Sequence, residues 1–421
     1  MKVFKFGGAS IETVERARNV ASIINENSSD KLLVVVSAKG KTTNQLEEIA
    51  QHYFNQKKEN ALELFEKLKD NHNEYAKELL GDKFDHISDR LNELYLEIEW
   101  ILNETPVRSY DYYYDQIVCI GELLSTLMIS YFLNINKKAA SWVDVRDILK
   151  TDSNYRDANI MWELTARNVS DKIIPLFDTT NIIITQGFIG STDENNSVTL
   201  GREGSDYTAA VFANMMNAES VTIWKDVPSL LNADPKIFPN TVPIEEITFH
   251  EVIEMAYYGA QVIHPKTIKP LQNKNIPLYV KCFLDKNLKG TLIHNSDKAI
   301  NYPPILVLKT NQTLLQVTTK DYSFITEDNL STIYKLFHSC KIKINLIQNA
   351  AISFVACIDS HTAHLDELLL LLNEHYEVKR NENLFLFTVR HYRQEVLREE
   401  LKNRTVLLTQ KTRQTIQMVV K

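Results

Sequence analysis

Cysteine is scarce in this chain, and its four residues, Cys119, Cys282, Cys340 and Cys357, form no Cys-x-x-Cys pair. This scatter excludes the disulfide framework typical of small secreted domains, and it predicts reduced thiols in a cytoplasmic protein. The eleven histidines show no spacing typical of metal ligands, so we expect no transition-metal site.

Long apolar runs and an excess of positive charge are missing as well. No run approaches the ~20 residues that span a bilayer, and the chain enters its first strand without an apolar leader, so we expect neither a membrane protein nor an exported one. The net charge of -7 argues against a general nucleic-acid binder. With 421 residues, 44% of them hydrophobic and 24% charged, two or three soluble domains are expected.

The first forty residues carry the clearest pattern in the chain. An apolar strand at 3–6 leads to Gly7 and Gly8, then to a helical pattern, then to a continuous apolar run at 32–36. Such a run is typical of a strand buried on both faces, and Ser10 is a candidate N-cap for the helix. We therefore predict a β-turn-α-β unit with its glycines at the carboxyl end of the first strand, where open α/β sheets bind ligands.

This turn has the chemistry of a phosphate site. Glycine lets the backbone approach a ligand closely, a helix N-terminus favours anions, and Lys5 adds a positive charge. An ordinary tight turn is the alternative interpretation of the glycine pair.

Two regions of different character follow along the chain. Residues 57–104 show helical spacing broken near Gly81 and predict a helical hairpin, and further buried strands are expected at 182–184, 221–224 and 276–283. We therefore predict one α/β domain with a mostly parallel sheet over residues 1–297. After a linker at 301–304, residues 305–390 predict the order βαββαβ, the ferredoxin-like plan. A helix at 393–402 and strands at 405–409 and 413–420 complete the tail.

Four other stretches could bear on a site. Ser37 to Asn44 follows the second buried strand, Gly121-Glu122 begins an apolar helix, residues 199–210 include Arg202, and residues 224–236 turn through two prolines. Each also has a structural interpretation: a solvated loop, a carboxylate favouring a helix N-terminus, or helix capping by Ser205 or Asp206. Arg202 would suit bidentate carboxylate binding.

Taken in order, these motifs resemble those of the aspartate kinases, members of the amino-acid kinase superfamily, and the tail resembles their ACT regulatory domains. The resemblance rests on the following stretches: Lys5-Phe-Gly-Gly-Ala-Ser10, Val36-Ser-Ala38 with Thr43-Asn44, Gly121-Glu122, Gln186-Gly-Phe-Ile-Gly190, Gly201-Arg-Glu-Gly-Ser-Asp206, Lys225-Asp-Val-Pro228 with Asp234-Pro235, and Gly259-Ala-Gln-Val-Ile-His-Pro265. It implies a three-layer amino-acid-kinase domain over 1–297 with the hairpin as an insert, and an ACT-type regulatory and dimerisation region over 305–421 whose second unit is abbreviated.

The resemblance also implies the reaction, in which ATP phosphorylates the side-chain carboxylate of L-aspartate to give 4-phospho-L-aspartate, the first step towards lysine, threonine and methionine. It implies ATP and Mg²⁺ as cofactors, a cytoplasmic homodimer, and an amino-acid effector. The implied catalytic residues are Lys5 and Asp206. The implied substrate residues are Ser37, Thr43, Glu122, Phe188, Arg202, Gly204 and Ser205. The implied nucleotide residues are Lys5, Phe6, Gly7, Gly8, Ser10, Lys225, Asp226, Leu231, Lys236 and Gln261.

Several positions depart from the family pattern: Ala9, Glu203, Lys225, Leu231 and Gln261. Among them, Ala9, Glu203 and Gln261 keep open a catalytically weak relative that senses amino acids or binds a partner. The other alternative is a superfamily kinase for glutamate, N-acetylglutamate, carbamate or UMP, against which the tail and the stretch 201–206 argue. In the tail, the turn at 346–352 lacks the Ser-Glu pair of many inhibitor-binding relatives. We therefore predict weak or absent inhibition by lysine alone.

Overall fold

The computed structural model describes residues 1–136, 139–402 and 404–421. Up to residue 299 the elements are, in chain order, β1 (Lys2–Phe6), α1 (Val14–Glu26), β2 (Leu32–Val36), α2 (Thr42–Phe54), α3 (Lys58–Leu80), α4 (Asp85–Asn103), α5 (Tyr110–Val118), α6 (Ile120–Ile135), β3 (Ala140–Val143), α7 (Trp162–Asn168), β4 (Ile182–Gln186), β5 (Ile189–Ser191), β6 (Ser197–Thr199), α8 (Gly204–Met216), β7 (Ser220–Lys225), β8 (Leu230–Leu231), β9 (Pro243–Ile244), β10 (Glu246–Thr248), α9 (Phe249–Tyr258), α10 (Pro265–Asn273), β11 (Leu278–Cys282) and β12 (Thr291–His294).

The tail continues with β13 (Ile305–Thr319), α11 (Glu327–Ser339), β14 (Ile344–Asn349), β15 (Ser353–Asp359), α12 (Leu365–His375), β16 (Tyr376–Arg390), α13 (Gln394–Glu400), β17 (Val406–Lys411) and β18 (Thr415–Val420). The chain forms two compact units. The first comprises residues 1–230, 245–253 and 262–299, and the second comprises residues 231–244, 254–261 and 300–421.

The first unit is built on an eight-stranded sheet in the order β10-β12-β11-β7-β1-β2-β4-β3. All its neighbouring strands run parallel except β11 and β12. Every residue of β2 and β4 is buried, as expected for central strands covered on both faces by helices. The predicted α/β fold class with a mostly parallel central sheet is confirmed.

Local capping differs from the sequence prediction at two helices. Helix α1 begins after Thr13, whose side chain accepts the N–H of Arg16, whereas Ser10 lies in a short 3-10 turn and donates to the carbonyl of Gly7. Helix α8 begins after Glu203, which is left-handed with φ of 55° and gives no side-chain cap. The proposed capping by Ser10, Ser205 or Asp206 was therefore wrong. Ser10 bonds locally to Gly7, whereas long-range contacts with Ser37 and Lys5 engage the side chains of Ser205 and Asp206.

One stretch, Tyr110–Ile135, is long and apolar enough to cross a membrane by length and composition, which the sequence analysis had not expected. In the apolar 18-residue window of this stretch, 83% of the residues are buried inside the chain. A core helix of a globular protein has this composition because it packs on all sides.

The second unit contains a six-stranded antiparallel sheet in the order β14-β15-β13-β16-β18-β17. Its first four strands have the order of a ferredoxin-like fold, and the element sequence βαββαβ is confirmed. Strands β13 and β16 pair along almost their whole length, with register shifts around Gln312. Beyond these shifts the sheet continues into β18 and β17, so the short C-terminal remnant extends the ferredoxin-like sheet.

Two hydrophobic clusters support the two halves of this sheet. One joins α11 and α12 to the ferredoxin-like strands, with Ile333, Phe337 and Leu368 buried at its centre. The other gathers residues of β16, β18 and α13 around Phe387, together with Ala233 and Phe238 from the chain before β9. Phe238 and Phe387 stack with ring centroids 6.1 Å apart. Residues 231–244 therefore share a core with the tail.

Candidate active site

Parallel register brings four loops to one edge of the large sheet. Phe6 of β1 is in register with Val36 of β2 and with Trp224 of β7, and Val36 is in register with Gln186 of β4. The loops that leave these strands therefore meet at the carboxyl edge, which is where open α/β sheets bind ligands. A cavity of about 600 Å³ opens there.

Most of the site residues expected from the resemblance line this cavity. They are Lys5, Gly7, Gly8, Ser10, Ser37, Thr43, Glu122, Phe188, Arg202, Gly204, Ser205, Asp206, Lys225 and Asp226. Phe6 is fully buried beneath it and stacks on Trp224 at 5.8 Å. Leu231, Lys236 and Gln261 belong to the second compact unit and are not among the lining residues.

A nearly buried ion pair lies at the centre of the lining. The ammonium Nζ of Lys5 is 2.7 Å from Oδ1 of Asp206, and the two side chains are 13% and 5% exposed. Lys5 comes from β1 and Asp206 from the first turn of α8, so the pair joins the strand to the helix that follows Arg202. The carboxylate fixes where the ammonium sits, while the cavity leaves one side of Lys5 open to a ligand.

The glycine turn after β1 packs directly on the loop after β2. A Cβ atom placed on Gly8 would lie 2.4 Å from the carbonyl oxygen of Ala38, a distance that no side chain tolerates. The N–H of Gly40 donates to the carbonyl of Gly8 at 3.0 Å. Glycine at position 8 is therefore required by this close approach of two backbones.

Glu122 lies at the base of the cavity in an unusual state. Its side chain is 2% exposed, one oxygen accepts the N–H of Ala38 at 3.4 Å, and the other has no hydrogen-bond partner among the described residues. Burial raises the pKa of Glu122 to about 8. Because the positive charge of Lys5 only partly offsets this burial, the carboxyl is costly to ionise, and a bound ammonium group would reduce that cost.

Ser37 and Ser205 connect the loops of β2 and α8. The hydroxyl of Ser37 donates to that of Ser205 at 2.9 Å. A Cβ on Gly187 would lie 2.5 Å from that of Ser205, so the β4 loop also packs tightly here. The loops after β2 and β4 thus hold the N-terminus of α8 in place at the edge of the cavity.

Two departures from the family pattern hold the turn before α10. The N–H of His264 donates to the carboxylate of Glu203 at 2.8 Å. Lys225 donates through Nζ to the carbonyl of Val262 at 2.9 Å. Both side chains line the cavity, so each joins this turn to the lining rather than pointing freely into solvent.

The helical insert also supports the cavity, which the sequence analysis did not foresee. Three neighbouring residues of α3 reach the two ligand loops: Asn71 accepts from Lys39 at 2.7 Å, His72 lies 3.3 Å from the hydroxyl of Thr42, and Tyr75 donates to the carbonyl of Ile11 at 2.8 Å. Burial lowers the pKa of His72 to about 4, so its ring is neutral. The hairpin therefore clamps both loops from outside.

Three lining residues lie outside the stretches that the sequence analysis singled out for a site, and they are Tyr114, Arg156 and Phe283. Five others, Ala9, Thr199, Gly201, Glu203 and Trp224, belong to those stretches but were given no role. Behind them Asp115, fully buried, accepts the N–H groups of Arg156 and Thr199 at 3.0 Å each and the hydroxyl of Thr199 at 2.7 Å. Burial raises the pKa of Asp115 to about 6 despite these bonds. The cluster of tyrosines at 110–114 is the sequence feature nearest to Tyr114, and by itself such a cluster is equally typical of core packing or a subunit contact.

Across the described residues, no group of three or more His, Cys, Asp or Glu side chains is placed to hold a metal ion. Asp226 nevertheless adds a carboxylate to the lining. Such a lining suits Mg²⁺ that arrives with nucleotide phosphates, since this ion keeps several waters and takes only one or two protein carboxylates.

Comparison with known proteins places the chain in a family. Residues 1–282 match the model of the amino acid kinase family. The lysine-sensitive aspartokinase 3 of Escherichia coli (strain K12) is 31% identical over 362 residues, which cover 85% of this chain and 78% of that protein. This chain belongs to the aspartokinases of the amino acid kinase family.

Solved aspartokinase structures share the fold. Escherichia coli aspartokinase III in complex with aspartate and ADP has a TM-score of 0.79 at 27% identity, covering 100% of this chain and 96% of that one. The same enzyme in complex with lysine and aspartate has a TM-score of 0.78 at 26% identity, covering 100% and 95%. The predicted ferredoxin-like tail after the kinase domain therefore has its counterpart in this family.

Proposed function

We propose that this chain is an aspartate kinase that transfers the γ-phosphoryl group of ATP to the side-chain carboxylate of L-aspartate, giving 4-phospho-L-aspartate and ADP. The observation that carries the proposal is the Lys5–Asp206 ion pair, which lines the same cavity as the glycine turn at residues 7–8, in a chain that belongs to the aspartokinases. In that family the reaction opens the route to lysine, threonine and methionine.

The chemistry requires no general base. The free side chain of aspartate has a pKa of ~3.9 and is already ionised at pH 7. The difficulty is to bring one anion to another, so catalysis consists of positioning and of neutralising the charge on the transferring group. The cavity supplies lysine, arginine and backbone N–H groups, and the reaction needs neither a histidine nor a cysteine nucleophile.

Lys5 is assigned to the β- and γ-phosphates, with Asp206 fixing the position of its ammonium group. The backbone N–H groups of Gly7 and Gly8 are assigned to the phosphate oxygens. Ser10, whose own N–H donates to the carbonyl of Gly7 at 2.9 Å, is assigned to the nucleotide by resemblance alone. Supporting the assignment of the two glycines, the Gly8 turn is packed so tightly on the Ala38 loop that its backbone is already organised before a ligand binds.

Seven residues are assigned to the substrate aspartate. Glu122 is assigned to its α-ammonium group, because one oxygen of the Glu122 carboxyl has no hydrogen-bond partner among the described residues. Arg202 is given a carboxylate, since its guanidinium suits bidentate binding. The remaining substrate contacts are assigned to Ser37, Thr43, Phe188, Gly204 and Ser205.

The nucleotide is assigned to Lys225 and Asp226 in the cavity and, by resemblance alone, to Phe6, Leu231, Lys236 and Gln261. Mg²⁺ would neutralise the phosphates, and Asp226 is the lining carboxylate best suited to it, since Asp206 is paired with Lys5. We further propose a cytoplasmic homodimer that depends on the tail, and an amino-acid effector bound there.

The test is a hydroxylamine trap for acyl phosphate with purified protein, Mg-ATP and one candidate acid at a time. We expect hydroxamate only with L-aspartate, and none with glutamate, N-acetylglutamate or carbamate. Hydroxamate or phosphoester product with another acceptor would assign a different kinase of the same superfamily. If protein with a cooperative melting curve turns over no acceptor, the chain is instead a catalytically weak relative.

A further inference from the structure

An arginine that the resemblance does not assign lines the substrate end of the cavity. Arg156 lies in the loop between β3 and α7 and shares the lining with Thr43, Glu122 and Arg202. Building on the proposed function, we propose that Arg156 is a specificity-determining residue that binds a carboxylate of the acidic substrate.

The backbone of Arg156 is held in a conformation that favours glycine. Its φ is 69°, in the left-handed region. Asp115 accepts its N–H at 3.0 Å, and a Cβ on Gly201 would lie 3.1 Å from its carbonyl oxygen, so the neighbouring backbone packs against it closely. A strained position of this kind persists only where the surroundings enforce it, and such positions cluster at functional sites.

Two aromatic rings orient the guanidinium group. Its carbon lies 4.2 Å from the ring centre of Tyr114 and 5.5 Å from that of Tyr110. Tyr114 itself lines the cavity. A guanidinium held over aromatic rings keeps its N–H groups available at its edge, and these N–H groups are what an arginine uses to bind a carboxylate through two parallel bonds.

The present anionic partners of Arg156 are weak. Glu47 and Asp111 lie 3.3 and 3.4 Å from its terminal nitrogens through one contact each, and their side chains are 42% and 55% exposed. Exposed single contacts of this kind contribute little. A substrate carboxylate in the cavity could take over the same nitrogens without a large loss.

The charges around the cavity favour binding of a substrate carboxylate by Arg156 in place of Glu47 and Asp111. Among the described residues the cavity carries four basic side chains, Lys5, Arg156, Arg202 and Lys225, against the acidic side chains of Glu203, Asp206 and Asp226. The fourth acidic side chain, Glu122, has its pKa raised to about 8 by burial and gains its charge only when an ammonium group binds. Lys5 is already paired with Asp206. A dicarboxylate bound beside ATP phosphates therefore needs a second guanidinium besides Arg202 to be attracted rather than repelled.

The test compares Arg156→Gly with wild type in the hydroxamate assay. We expect the KM for aspartate to rise about 10- to 30-fold, with kcat within threefold and the KM for ATP unchanged, because a carboxylate bond to a charged donor is lost. Arg156→Lys, which keeps the charge and loses the fork, should fall between. The melting temperature of Arg156→Gly should not drop, since glycine suits the left-handed backbone.

Arg108→Ala is the matched control, because Arg108 also stacks on a tyrosine, Tyr112 at 4.4 Å, but does not line the cavity. Its KM for aspartate should stay at the wild-type value. An unchanged KM in Arg156→Gly, or an equal rise in Arg108→Ala, would overturn the proposal.

Inhibitors that compete with aspartate can show which of its two carboxylates Arg156 binds. β-Alanine lacks the α-carboxylate and L-alanine lacks the side-chain one, so the analogue missing the group bound by Arg156 should inhibit wild type and Arg156→Gly equally. If each of the two analogues inhibits wild type and Arg156→Gly equally, the proposed contact is overturned. Should the wild type give no hydroxamate, calorimetric titration of both proteins with aspartate still decides the role of Arg156, separately from the failure of the proposed function.

Discussion

At the scale of single residues, the position of Lys5 gives the most direct prediction. Its ammonium group is held by Asp206 beside the glycine turn, so it would meet charge that develops in the transition state. We expect Lys5→Ala to lower kcat by about 10²–10³, with a much smaller change in the KM for aspartate. Steady-state kinetics of the hydroxamate assay measures both.

Lys2→Ala provides the control for that variant. Lys2 lies on the same strand but pairs with Asp30 at 2.6 Å on a partly exposed surface, so its kcat should match wild type. Retention of more than half of the wild-type kcat in Lys5→Ala would remove Lys5 from the mechanism.

The buried carboxyl of Glu122 leads us to expect that the KM for aspartate depends on pH. Burial raises its pKa to about 8, so below pH 8 the free protein holds this carboxyl protonated, and binding an ammonium group must first release the proton. The KM for aspartate should therefore fall as pH rises from 6.5 to 8, by nearly tenfold per pH unit at the acidic end. Above pH 8 this dependence should level off.

Glu122→Gln removes the titrating group and should give a high KM that no longer depends on pH in this range. The KM for ATP, measured in parallel, should show no such slope in either protein. A wild-type KM for aspartate that is flat between pH 6.5 and 8 would contradict the assignment of Glu122 to the ammonium group.

At the scale of elements, the site depends on how tightly the β1 and β2 loops approach one another. Gly8→Ala would place a Cβ 2.4 Å from the Ala38 carbonyl, which forces the two backbones apart. We expect a loss of about 1–3 kcal/mol in the free energy of unfolding, with strongly weakened nucleotide binding. Thermal melting and calorimetric titration with ADP give the two quantities.

Gly7→Ala is the neighbouring comparison. Gly7 has φ of -78°, and its added Cβ would meet only the ammonium group of Lys5, at 3.5 Å, an ordinary contact. Its melting temperature should stay near wild type while nucleotide affinity falls, because the added methyl crowds the phosphates. Similar melting of Gly7→Ala and Gly8→Ala would argue against close loop packing as the reason for the glycine.

At the scale of the whole molecule, the tail is predicted to be needed for a stable homodimer. Its six-stranded sheet has open edges at β14 and β17, and β17 exposes Val406 and Leu407; open edges favour pairing with another chain. The full chain should have the mass of a dimer in light scattering at micromolar concentration.

Ending the chain after residue 299 should give monomers or aggregates. Phe238 and Ala233 would lose the core that they share with Phe387 and Val389, which exposes apolar surface. A monomeric full chain, or a truncated one that remains a soluble dimer, would contradict this role of the tail.

The effector prediction also concerns the whole molecule. Around the turn after β14, Asn349 and Ala350 are exposed and carry no charge, so a lysine ammonium finds no carboxylate on them. We expect lysine alone to inhibit weakly or not at all, since an effector needs differential binding to two states. Activity at subsaturating aspartate against lysine, threonine, methionine and their pairs decides this, and strong inhibition by sub-millimolar lysine would refute it.

The sequence by itself determined the central buried strands of the large sheet and the order of elements in the tail. Continuous apolar runs predicted the buried strands β2 and β4, and glycines and polar residues at strand ends predicted which loops carry ligands. These signals are local, because burial on both faces and close backbone approach restrict which residues can occupy each position. The βαββαβ order of the tail could be predicted because its strands and helices also carry local sequence patterns.

Tertiary structure decided the rest. Asp115, Arg156 and Thr199 are more than forty residues apart in sequence and meet only through the fold, so no local pattern marked Arg156 as a lining residue. Glu203 starts α8 from a left-handed position held by its bond to His264, against capping preference. Residues 231–244 joined the tail because Phe238 is buried against Phe387. In each case a long-range contact outweighs a local propensity of about 1 kcal/mol.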